Sequence, residues 1–334
     1  MVDIGTLIGG RYLLEQRIGR GQCGFVWLAH DTRLHRTVAA KPVQPRGDGA
    51  QAADGPSGTA RRDEVLRQAE LARELRHPCA VTVYGVVADD EHLWLITEYV
   101  PACTMSDVLT TSGKLGHEHA STVGTRLAGA LRAAHQLGLL HRAVEPATVL
   151  LDEDGEVRLT DFAVGVAYYD SPYRAPEVLR GGQATTASDV YSLGATLHRA
   201  VAGTPRPGHD DETPATTGHQ AHGCMPGPFR EVVLRMLAED PATRPGMAGV
   251  ERALSALVRG ERAPRSALVP PEAGPESFPA PRALTRRVTR VSALPEQAPA
   301  PARRGRAPTR VAFTVLAACS ITLGAFLILE FVIR

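Results

Sequence analysis

From Tyr12 to Ala29 the chain alternates apolar and polar residues, with Leu14 and Ile18 before a glycine-rich stretch and Phe25 and Trp27 after it. A period of two predicts two strands joined by the turn Gly19-Arg20-Gly21-Gln22-Cys23-Gly24. Thr37 to Val43 predicts a third strand, and residues 44–60, rich in Gly, Ala and Asp, a long loop. A helix is expected from Arg61 to Arg76, closed by His77-Pro78. Two more strands follow, Ala80–Val87 and Leu93–Val100. Beyond them the period changes. Val123, Leu127, Ala130, Leu131 and Ala134 form one stripe at helical spacing. Asp152-Glu153-Asp154-Gly155 marks a hairpin turn between two short apolar strands.

The pattern ends near residue 258. Residues 259–309, with PPEAGPESFPAPRAL and PEQAPAPARRGRAP, have too few large apolar residues to offset the entropy of ordering, and predict a disordered Pro/Arg-rich tether. Val311 to Leu329 then carries no charge, which predicts a transmembrane helix over 310–333, since a bilayer core takes about 20 apolar residues. Arg303, Arg304, Arg306 and Arg310 precede the run and only Arg334 follows it. The positive-inside rule therefore puts the N-terminal domain in the cytoplasm.

Composition changes this picture in two places. The net charge is +1, which gives no reason to expect a nucleic-acid partner. Among 37 basic residues only Lys41 and Lys114 are lysines, so each retained lysine is informative, and the chain has no asparagine at all. The five cysteines, Cys23, Cys79, Cys103, Cys224 and Cys319, are scattered and odd in number, as in a reduced compartment rather than a disulfide framework.

The chemistry starts at the glycine turn. Gly19, Gly21 and Gly24 let backbone N–H groups approach phosphates closely. A lone Gly-x-Gly-x-x-Gly also opens helices in dinucleotide folds, but here Phe25-Val26-Trp27-Leu28 continues as a strand. The landmarks then come in order: Val38-Ala39-Ala40-Lys41, His141-Arg142-Ala143-Val144-Glu145-Pro146, Asp161-Phe162-Ala163, Ala175-Pro176-Glu177, Ser188-Asp189-Val190-Tyr191-Ser192 and Asp240-Pro241-Ala242-Thr243-Arg244-Pro245. Over residues 12–257 the series resembles the protein kinase family, and among its members the bacterial eukaryotic-like Ser/Thr kinases with a juxtamembrane linker and one membrane span.

The resemblance implies an α+β, two-lobed fold with an N-lobe at 11–100 and a C-lobe at 101–258. It implies ATP and Mg²⁺ as ligands. Gly19, Gly21, Gly24, Val26, Ala39 and Leu150 would surround the nucleotide, Lys41 would hold its α- and β-phosphates, and the backbone of Glu98 and Val100 would meet adenine, with Thr97 behind. Gln68 takes the helix position where the family pairs a glutamate with the strand lysine, and Glu64, one turn earlier, could substitute. Asp161 is the metal carboxylate. His141, Arg142, Phe162, Asp189 and the pair Glu177–Arg244 have structural roles.

The departures lie where phosphoryl transfer takes place. Ala143 stands where the proton-accepting aspartate belongs, Glu145 where a lysine neutralises the γ-phosphate, and Thr148 where an asparagine holds a second Mg²⁺. Glu177 lies sixteen positions after Asp161, which makes a short activation segment whose hydroxyls include Tyr168, Tyr169 and Ser171. The expectation is a membrane-tethered pseudokinase, a docking platform for signalling kinases, phosphothreonine-binding proteins or cell-envelope proteins. A weak Ser/Thr kinase is the alternative, and nucleotidyl transfer a third. His219, His222 and Cys224 read as a solvated loop in preference to a metal site. The ALTRRVTRVS stretch, with Thr285, Thr289 and Ser292, suits anionic lipid somewhat better than phosphorylation by a partner.

Overall fold

The computed structural model describes residues 2–21, 24–43, 56–89, 92–163, 171–203, 225 and 227–271. A six-stranded antiparallel sheet opens the chain: β1 (Leu7–Ile8), β2 (Tyr12–Gly21), β3 (Gly24–Asp31), β4 (Arg36–Val43), β5 (Val83–Asp89) and β6 (His92–Glu98), in the order β1-β2-β3-β4-β6-β5. The period of two sorts β4 cleanly. Val38 and Ala40 join Trp27, Ala29, Trp94 and Ile96 in one apolar cluster. Ala39 and Lys41 point to the other face, the one that Val43, Leu93 and Leu95 share with the larger core. Pro42 is tolerated in β4 because the β3 ladder ends at Ala40, so no partner there needs its N–H.

Helix α1 (Pro56–Glu74) packs Val65, Ala69 and Ala72 into that larger core, and Leu75 follows just past its end. It begins inside the stretch expected to be loop: Pro56 opens it, in the first turn, where a missing N–H removes no intrahelical bond. The second lobe is helical. It contains α2 (Met105–Ser112), α3 (His117–Gln136), α4 (Pro176–Leu179), α5 (Thr186–Ala202), α6 (Gly227–Met236) and α7 (Met247–Val258). A three-stranded sheet, β7 (Cys103–Thr104), β8 (Val149–Leu151) and β9 (Val157–Leu159), carries the candidate site on its loops. The stripe predicted for α3 is buried at Val123, Leu127, Ala130, Leu131 and Ala134.

The expected start of the tether at 259 falls too early. After α7 the chain turns at Gly260 and forms a 3-10 turn, Arg265–Leu268, with Ala267 and Leu268 buried. Gly249 makes the slot: a Cβ there would lie 2.0 Å from the Ala267 carbonyl oxygen. The expectations for 272–309, the span at 310–333, the linker hydroxyls, the His219/His222/Cys224 loop and Tyr168 and Tyr169 lie outside the described residues. Among the described residues no helix is long and apolar enough to cross a membrane.

Candidate functional site

The catalytic-loop segment is fixed from behind by Asp189 on α5. Its carboxylate accepts the backbone N–H of His141 at 2.9 Å and of Arg142 at 2.8 Å, and contacts His135 Nε2 at 2.8 Å. Burial pushes the Asp189 pKa up, but His135, His141 and these bonds outweigh it and hold the carboxyl below its ordinary value. His141, fully buried, meets the Thr160 carbonyl through Nε2 at 2.8 Å and accepts the Ala143 N–H on Nδ1 at 3.2 Å. Burial lowers its pKa, which favours the neutral ring that this bonding requires. Phe162 packs edge-on against it, with centroids 4.7 Å apart. Of these partners, His135 was not anticipated: a histidine in the last turn of a helix has no spacing signal toward α5.

A second anchor lies below. Arg244 is almost fully buried and places all five guanidinium N–H groups. Two reach Glu177 at 2.7 and 2.8 Å, and the others reach the carbonyls of Ala238, Ala187 and Glu239 at 2.8, 3.0 and 3.0 Å. Burial raises the Glu177 pKa, but Arg244 and Ser188 overcome this and leave it below the usual carboxylate value.

The cleft side differs. Gly19 pairs with Val26 and Gly21 with Gly24 across the hairpin. Gly21 lies so close to Lys41 that a Cβ there would stand 2.7 Å from its Cε. Lys41 forms its ion pair with Asp161, both side chains largely buried. The pairing expected with α1 is thus corrected. Gln68 is buried and uncharged, and its amide nitrogen donates to Glu64 at 2.9 Å. Glu64 does not substitute, because Arg67 takes it at 2.7 Å and Arg142 reaches it at 3.5 Å. The Glu64 carboxyl is destabilised by burial yet falls below its ordinary value through Arg67 and Gln68. The Gln68 Oε1 and Arg142 Nε atoms are buried without a partner.

Ala143 is buried and carries no functional group. The Thr148 hydroxyl is engaged within its own loop: it lies 2.9 Å from the Ala143 carbonyl and 3.0 Å from that of Glu145, and accepts the Glu145 N–H at 3.1 Å. The Glu145 carboxylate accepts the Ser171 hydroxyl at 2.6 Å. Ser171 was read only as one of several hydroxyls of the activation segment; it is buried and ties the end of that segment to the loop.

At the back of the cleft, Ala39 faces Thr97 across the β4–β6 ladder and Leu28 across β3–β4. Val26, Ala39, Val100 and Leu150 are all half-buried, as walls of an open cleft would be. The Glu98 side chain pairs with Arg158 at 2.7 Å, while its backbone N–H bonds Thr82 at 2.9 Å. The Val100 N–H makes no hydrogen bond among the described residues.

These residues fit an adenine, with a free backbone donor and small apolar walls. They do not fit a metal-bound triphosphate. Asp161, the expected metal carboxylate, is paired with lysine, and Thr148, at the expected second position, is a buried hydroxyl engaged in its loop.

Comparison with known proteins agrees with the fold. The family described as Protein kinase domain matches residues 12–254. The serine/threonine-protein kinase PknA of Mycobacterium tuberculosis is 31 % identical, over 93 % of this chain and 77 % of that kinase. PrkC of Bacillus subtilis is 30 % identical over 72 % of this chain and 39 % of its own length. Among solved structures, the PknI kinase domain of Mycobacterium tuberculosis superposes with a TM-score of 0.65 at 28 % identity, covering 76 % of this chain and 99 % of that domain.

Proposed function

Since the chain belongs to the protein kinase family and is related to bacterial Ser/Thr kinases, we propose that it is a pseudokinase: a membrane-tethered, nucleotide-responsive docking platform that does not transfer phosphate. The observation that carries this reading is one loop with two states of repair. Asp189 and His141 hold its backbone, yet the side chains at 143, 145 and 148 supply no proton acceptor, no cation and no free metal ligand. Loss of a general base alone slows a reaction by about 10²–10⁴.

Glu145 does not replace the base. Its carboxylate is occupied by Ser171, two residues from the required position, and a displacement of about 1 Å already costs about a hundredfold. Partners would be other proteins, among them signalling kinases, phosphothreonine-binding proteins or cell-envelope proteins. The span at 310–333 would hold the domain at the cytoplasmic face of the cell membrane. Retention of the full chain in a membrane pellet, and its loss when 310–334 are deleted, tests the tether.

The full chain is incubated with Mg²⁺ and ATP and its intact mass measured, beside a Lys41→Ala/Asp161→Ala control. The expected result is no added mass. Phosphate added only to the unmutated chain would establish the active Ser/Thr kinase instead, and an added AMP would establish nucleotidyl transfer.

A further inference from the structure

The two halves of the cleft make opposite demands on a ligand. At the adenine end the Val100 N–H has no hydrogen-bond partner among the described residues, beside the half-buried walls Ala39 and Leu150. Among the described residues, the charges expected at the phosphate end include Lys41, Asp161 and Glu145. Lys41 and Asp161 are already in contact, 13 % and 8 % exposed at the side chain, so each neutralises the other in a place where water screens little.

A phosphate entering here must compete with Asp161 for the lysine, and every further phosphate adds negative charge near Glu145. A divalent cation must take Asp161 away from Lys41. Among the described residues, α1 offers the lysine no free carboxylate in exchange. Gln68 offers only a neutral carbonyl, buried without a partner, and Glu64 is held by Arg67 and Arg142.

We propose that this cleft binds an adenine nucleoside, or a nucleotide of few phosphates, in preference to ATP with Mg²⁺. The ligand class follows from internal neutralisation: the lysine and the aspartate that would meet a metal-bound polyanion already neutralise each other. The inference rests on the pseudokinase reading above and narrows it. What the platform senses is an adenine ring and its sugar, not the charge of a triphosphate.

Isothermal titration of the full chain in detergent with adenosine, AMP, ADP and ATP, each with and without Mg²⁺, tests this directly. Affinity is expected to stay level or fall as phosphates are added, and Mg²⁺ to change it less than about twofold. Asp161→Asn separates the explanations. Removing that carboxylate should raise the affinity for metal-free ATP about tenfold and leave ATP with Mg²⁺ no weaker, while adenosine is unchanged, whereas loss of a metal ligand in an ordinary kinase site weakens ATP with Mg²⁺. Gln68→Glu is the second variant: a carboxylate for Lys41 should release Asp161 and raise the affinity for ATP with Mg²⁺ about tenfold.

ATP with Mg²⁺ binding the unmutated chain at least about tenfold more tightly than adenosine would overturn the inference. If phosphate transfer were still absent, the pseudokinase reading would survive that result. Binding of no adenine compound would overturn both the inference and the nucleotide-responsive part of the proposed function.

Discussion

The rear and the front of one loop, a few residues apart, have been treated oppositely. At the rear, Asp189 receives three donors and Arg244 uses every N–H it has. At the front, Ala143 offers no functional group, Glu145 accepts the Ser171 hydroxyl, and the Thr148 hydroxyl bonds within its own loop. The difference teaches that the fold of this family and its chemistry are separable. The buried polar anchors belong to stability, since removing one leaves a desolvated charge with no partner. On the proposed pseudokinase reading, the residues at 143, 145 and 148 belong to transfer, and their replacement leaves the scaffold standing.

The largest effect should come from refitting the front. In the triple variant Ala143→Asp/Glu145→Lys/Thr148→Asn the rear brace is unchanged, so the restored groups should meet ATP and a protein hydroxyl in usable geometry. Phosphate transfer to a generic basic protein is expected to rise at least about 10²-fold over the parent, with Ala143→Asp alone giving little. A silent triple variant that still folds would break the comparison, because the brace would then be holding a different loop geometry.

Breaking the rear comes next. Arg244→Ala leaves Glu177 and three carbonyls without their donor, and should destabilise the chain by about 3–5 kcal/mol, read as a lower urea midpoint. A loss under about 1 kcal/mol would mean that water replaces the guanidinium and the anchor is ornamental.

A third prediction uses pH and a site remote from the loop. The Asp31 side chain is fully buried against Arg11 at 2.7 Å, and that bond holds its carboxyl at about 2, below an ordinary 3.8. A depressed pKa contributes stability that is complete above the unfolded value and lost as pH falls through the folded one. Asp31 should therefore contribute about 2 kcal/mol near neutrality, disappearing between about pH 4 and 2. Asp31→Asn should flatten the acid limb of the stability curve in that window relative to the parent. An unchanged limb would show that acid unfolding begins elsewhere.

The sequence made the sheet and the landmarks legible for separate reasons. Alternation at Val38 to Lys41 follows from burial on one face, so the strand and the lysine's direction could be read locally. The Glu177 and Arg244 positions were readable because their motifs are rigid in spacing and order. The partner of Lys41 was not readable. Its contact with Asp161 spans 120 residues and depends on a helix that offers glutamine in place of a charge. The packing of Ala267 and Leu268 was hidden in the same way: a Pro- and Arg-rich segment looks unable to bury much, and only the slot at Gly249 gives it a place.

The smallest effect concerns backbone strain, and it returns to the front of the loop. Arg142, Asp161 and Ala163 all have positive φ, at 65°, 69° and 82°, where a side chain crowds the backbone by about 1–2 kcal/mol per residue. Asp161 is held there by its pair with Lys41 and Arg142 by two bonds around Asp189, but the methyl of Ala163 makes no hydrogen bond. Ala163→Gly removes the crowding and returns about 0.5–1 kcal/mol of chain entropy to the unfolded state. The two nearly cancel, so the melting temperature should rise by no more than about 3 °C. A larger rise would mean that the cleft stores strain its neighbours sustain. An unchanged or slightly lower melting temperature would mean that the front has relaxed around Ala163.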